Sequence, residues 1–111
     1  MKPQADSPAL VCNPGALGPE QRRKHEDLTA ELLGKADAVH ELPNGLAFLF
    51  SNEKPTLLQI TEFISDEQLC CPFLEFGVHV EPQKARLQLS LTGPEPTRQF
   101  LQAEFAELLG K

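Results

Sequence analysis

The chain has 111 residues, enough for one hydrophobic core and too few for two. Ten Lys and Arg against sixteen Asp and Glu leave a formal charge of −6, which argues against a phosphate-binding surface and so against nucleic acid as the main partner. With 41% hydrophobic residues the composition is globular, no apolar run is long enough to span a bilayer, and the Met1–Asp6 start has no apolar core behind Lys2, so it does not read as a secretory signal.

Residues 1–18 carry Pro3, Pro8, Pro14, Gly15 and Gly18 and read as an irregular Pro-rich arm. Cys12 lies in this arm, immediately before the turn signal Asn13-Pro14-Gly15. A single α+β domain over 19–111 follows. Pro19 and Glu20 open a helix whose apolar stripe is Leu28, Leu32 and Leu33, with Gly34 as its C-cap. Arg22, Arg23, Lys24 and His25 cluster in its early turns. Positive charge there opposes the helix dipole, so the cluster is either solvated or answers a nearby anion.

Pro43-Asn44-Gly45 between 37–42 and 46–50 signals a hairpin. Leu46, Phe48 and Phe50 give its second strand one buried face. The first strand has no clean face. A second helix runs from Pro55 to about Cys71 and ends at Pro72. Leu74, Phe76, Val78 and Val80 then alternate with Glu75, Gly77 and His79, and after a turn at Pro82-Gln83-Lys84, Leu87, Leu89 and Leu91 alternate with polar residues. Thr92-Gly93-Pro94-Glu95 has capping-box spacing and precedes a third helix with Phe100, Leu101, Phe105 and Leu108 on one side and Gly110 at its end. The order α-β-β-α-β-β-α predicts a two-layer α+β sandwich, a mostly antiparallel four-stranded sheet covered by helices.

The chemistry is concentrated at the end of the second helix. At about 100° per residue, Leu57, Ile60, Ile64 and Cys71 form one stripe, with Phe63 and Cys70 on its flank. Glu67 falls inside this apolar sector, three residues before Cys70 and four before Cys71, spacings that bring helical side chains together. A buried carboxyl there needs a partner, a proton or a route to the rim.

Three cysteines without a CxxC favour reduced thiols and a cytoplasmic setting over a disulfide scaffold. They support three readings. The first is capture of a thiophilic ion by Cys12, Cys70 and Cys71, with Glu67 behind them; thiolates favour zinc, copper(I), mercury or arsenic. Pro72 assists by pushing Cys71 out of helical geometry. His25 and His40 remain open as further ligands, whereas His79 lies far along its strand.

The second reading is a thiol-dependent enzyme, redox or carbon–metal bond-cleaving, using Cys70, Cys71 and Glu67. It ranks below ion capture, because the helix C-terminus and Glu67 both disfavour a thiolate. The third is a small interaction module with structural cysteines. No organic cofactor motif, Ser/His/Asp motif, phosphate loop or HExxH is present. The implied partner is thus a metal ion or small thiol-reactive molecule, with no nucleic acid and no membrane.

Glu41-Leu42-Pro43-Asn44-Gly45, Glu67-Gln68-Leu69-Cys70-Cys71-Pro72-Phe73-Leu74-Glu75-Phe76 and Leu91-Thr92-Gly93-Pro94-Glu95 together carry a resemblance. From the first helix onward the chain resembles a family of small, uncharacterised bacterial proteins with an E-x-x-C-C-P-F core. The resemblance implies that Glu67, Cys70 and Cys71 act as a unit. It implies nothing about a substrate.

Overall fold

The computed structural model describes residues 12–106. The expected Leu108 and Gly110 positions of the last helix lie outside the described residues. A 3-10 turn at Pro14–Ala16 precedes α1 (Pro19–Gly34), β1 (Ala38–Leu42), β2 (Gly45–Ser51), α2 (Lys54–Cys70), β3 (Glu75–Glu81), a 3-10 turn at Pro82–Lys84, β4 (Arg86–Thr92) and α3 (Thr97–Glu104). The predicted α-β-β-α-β-β-α order and antiparallel four-stranded sheet are both present.

The strand order is β1-β2-β4-β3 and every pairing is antiparallel. The two-residue link Pro43-Asn44 closes the first hairpin, with Leu42 opposite Gly45. Gly45 is required there because a Cβ would strike the Leu91 carbonyl on the neighbouring strand. Leu46, Phe48 and Phe50 pair with Leu91, Leu89 and Leu87, and these six side chains build the sheet half of the core.

Phe76, Val78 and Val80 continue that face on β3. This strand is an edge, however, so Val78 and Val80 stay 40% and 42% exposed where the alternation predicted burial. Leu32 and Leu33 of α1, Ile60, Phe63 and Cys70 of α2, and Leu101 of α3 complete the same core, with Leu17 reaching it from the entry segment.

Two terminal signals resolve differently from the sequence reading. Gly34 is the last residue of α1 and Lys35 its C-cap, with the Lys35 N–H donating to the Leu32 carbonyl and the Ala36 N–H to the Leu33 carbonyl. The capping box at Thr92–Glu95 is not formed. The last helix starts at Thr97, and its hydroxyl donates to the Pro94 carbonyl instead. Pro94 and Pro96 each lack an N–H, which removes donors from the backbone leading into this turn.

Candidate functional site

Two antiparallel helices frame the site. Gln21 of α1 donates to Asp66 of α2 near one end of their seam, and at the other end Lys35 and Glu31 both bond Gln59. Along α2 the buried positions are Thr56, Ile60, Phe63, Glu67 and Cys70, a stripe spaced 4, 3, 4 and 3 residues apart. Leu57 and Ile64, predicted at its centre, are its half-buried flank.

Glu67 thus sits within the apolar stripe and is 6% exposed. Of the three solutions open to such a carboxyl, the fold uses a partner. His25 Nε2 of α1 and Glu67 Oε1 are hydrogen-bonded at 2.6 Å, and both side chains are buried. The His25 ring stacks on Phe63, with centroids 5.5 Å apart, which fixes its plane. Its Nδ1 is buried without a hydrogen bond, 3.9 Å from Asp66 Oδ2. His25 is therefore the member of the early basic cluster that meets a carboxyl group from another helix, while Arg22, Arg23 and Lys24 are exposed and Lys24 approaches Glu20 of its own helix at 3.9 Å. Its burial among neighbours that are all exposed is the local signature of this role.

The other oxygen of Glu67 faces sulfur. Oε2 lies 3.4 Å from Cys71 Sγ. Cys71 is the C-cap of α2, at φ −125° and ψ 74°, outside helical geometry as expected for a residue before proline. This departure turns Cys71 toward the entry segment. There Cys12 and Cys71 are joined by a disulfide across 59 residues, with Cα atoms 4.3 Å apart. The Asn13 N–H donates to the Cys70 carbonyl beside it. The expectation of three reduced thiols is corrected accordingly: one pair is oxidised, and Cys70 is the free cysteine among the described residues.

The three-sulfur grouping is also redrawn. Cys12, Glu67 and Cys71 bring one sulfur, one oxygen and one sulfur to within 4.8 Å of one another, a group able to hold a metal. Cys70 does not join them. It is still helical, the last residue of the α2 stripe, and packs into the core while its neighbour leaves the helix. Burial, then the charges of Glu67 and Asp66, push its thiol above the ordinary value. A raised pKa is the opposite of what a nucleophilic cysteine needs.

The other two histidines stand apart. His40 is exposed on edge strand β1, and His79 is exposed on β3 near Glu81.

A cleft of about 590 Å³ reaches the same cluster from the side of α1 and α3. His25, Glu26, Thr29, Glu67, Glu104 and Phe105 are among its lining residues. Glu104 is pushed above the usual carboxylate range by burial and by Glu67. Glu67 is the hinge of the arrangement, touching imidazole on one side and disulfide on the other.

Comparison of the chain with protein-family models, curated proteins and solved structures finds no match. No helix among the described residues is long and apolar enough to cross a membrane.

Proposed function

We propose that the reduced protein captures a thiophilic metal or metalloid ion through Cys12 and Cys71, with the Glu67 carboxyl as the third donor. The single observation carrying this reading is the convergence of those three donor atoms within 4.8 Å. Thiolate sulfur selects soft or borderline ions, and a bound cation offsets the charge of two thiolates beside a carboxyl group. His25 holds Glu67 in place through the Oε1 hydrogen bond and leaves Oε2 turned to the sulfurs. Such support of a ligand by its neighbour typically governs affinity by 10–100-fold, roughly.

The Cys12–Cys71 bond makes capture conditional. Both sulfurs are consumed in the disulfide, so ions bind only after it is opened. In this reading the donor set includes Glu67 and not Cys70.

The test is native mass spectrometry of reduced protein with zinc, mercury(II), arsenite and copper(I), each supplied separately. One-to-one binding of at least one ion is expected, lost in Cys12→Ser/Cys71→Ser and retained in Cys70→Ala. Glu67→Gln is expected to weaken it. Absence of any adduct dependent on Cys12 and Cys71 refutes the proposal, and an adduct lost in Cys70→Ala transfers the site to the vicinal pair.

A further inference from the structure

We propose that the Cys12–Cys71 disulfide is an exchange-active redox couple that small thiols open by attacking Cys12, with Cys71 as the leaving sulfur. This goes beyond ion capture and does not rest on it, because the reaction involves no metal.

The two sulfurs have unequal surroundings. Cys12 is half-buried, ahead of the short 3-10 turn at Pro14–Ala16. Cys71 is 2% exposed and sits inside the core cluster. Exchange requires a thiolate to reach one sulfur in line with the bond it breaks, so access decides which sulfur is attacked. An approach to Cys71 must enter the core and meet the Glu67 carboxyl group 3.4 Å from the sulfur. Cys12 packs at the margin of the core and its sulfur lies within 4.8 Å of the same carboxyl group, but it is the more exposed of the two sulfurs and is the one an incoming thiolate reaches from solvent.

On the leaving side, Glu67 disfavours Cys71 as a thiolate and favours it as a thiol, so the preference for Cys12 rests on access and the released Cys71 is held in its protonated form. Once Cys71 is released and protonated, Glu67 Oε2 already lies at a distance where an S–H donates to it. In the disulfide form Cys71 has no proton to donate, so this hydrogen bond exists only in the product. His25 keeps the acceptor in position through the other carboxylate oxygen. Cys70 is buried in the core, 6% exposed, and so is not a competing nucleophile.

The chemistry balances as two exchanges. The attacking thiol loses its proton to solvent, its sulfur bonds to Cys12, the Cys12–Cys71 bond breaks, and the Cys71 sulfur takes up a proton. A second molecule of thiol then attacks the small-molecule sulfur of the mixed disulfide. It releases Cys12 as a thiol and leaves the probe as its own symmetrical disulfide. Two probe thiols are oxidised and one protein disulfide is reduced.

The test treats the native, oxidised full chain with β-mercaptoethanol, quenches with acid at short times and maps the mixed disulfide by peptide mass spectrometry. The adduct is expected on Cys12 in excess over Cys71 by about tenfold or more, the discrimination that unequal access imposes. The same ratio is expected in Cys70→Ala, and near parity in denaturant, where the surroundings are erased. An adduct mainly on Cys71, an equal split in the native protein, loss of reaction in Cys70→Ala, or a disulfide that resists the thiol until the protein unfolds each overturns the proposal.

Discussion

Replacing His25 by Ala isolates the buried pair at the centre of the site. His25 and Glu67 are both 6% exposed, and their hydrogen bond spans 2.6 Å. Removing one member of a buried pair generally costs about 3–5 kcal/mol, because the other is left uncompensated. Here the cleft lined by both side chains lets water reach the orphaned carboxyl, which lowers that penalty. Loss of the stack on Phe63 acts in the other direction. A cost of about 2–3 kcal/mol is the balance of these terms.

For a domain of this size that loss lowers Tm by roughly 10–20 °C. The assay is urea and thermal unfolding of wild type, His25→Ala, Glu67→Leu and the double variant His25→Phe/Glu67→Leu, all in the oxidised state. The double variant is expected to recover most of the loss, since a buried pair replaced by apolar groups of similar size is often neutral. A His25→Ala cost below about 1 kcal/mol, the range of an exposed ion pair, refutes the reasoning. So does a double variant no more stable than the worse single one.

The remaining expectations concern the thiols and the sheet. The disulfide closes a loop across 59 residues, so chain entropy assigns it about 4 kcal/mol of stability; denaturant midpoints of oxidised and reduced protein measure it, and identical midpoints contradict it. Cys70 is expected to alkylate more slowly than a free thiol at neutral pH, because its pKa is raised by burial and by Glu67 and Asp66; labelling faster than glutathione overturns that assignment. In the same residue the folded state retains its proton longer than the unfolded chain. Its contribution to stability is therefore intact below the ordinary value of 9.0 and is lost as pH rises from there through the folded value, a loss absent in Cys70→Ala. Gly45→Ala is expected to cost more than about 1 kcal/mol by driving a Cβ into the β4 backbone; unchanged unfolding of that variant refutes the close approach.

The sequence and the structure agree where local rules are decisive. The alternation of Leu46, Phe48 and Phe50 and of Leu87, Leu89 and Leu91 identifies two central strands and the face each turns to the core, although Ala47 and Leu49 are buried on the other face of β2 as well. The same alternation at Val78 and Val80 assigns their face correctly but not their exposure, since periodicity carries no information about which strand ends at an edge. Glu67 is conspicuous in an apolar stripe, and its need for a partner is legible. The partner is not, because His25 lies 42 residues away and only the packing of α1 on α2 brings it there. Pro72 announces that Cys71 leaves the helix while Cys70 remains. That one-residue difference separates a sulfur bonded to Cys12 from one buried in the core. Helical periodicity sets Cys71 in the stripe and Cys70 on its flank and so groups the two. The backbone change at Cys71 divides them.

The link between Cys12 and Cys71 also has a mechanical meaning. It ties α1, β1, β2 and α2 into a closed ring, and β3, β4 and α3 lie beyond it. Because β4 docks on β2, the seam between ring and free half runs through the middle of the sheet. Tension applied between residue 12 and the distal end of the chain bypasses the ring and loads that seam. The oxidised protein therefore yields by shedding β3, β4 and α3, and keeps roughly 200 Å of contour out of reach of the pull. Opening the bond returns that length to the chain and exposes α1 and α2, with the site they frame, to the same force.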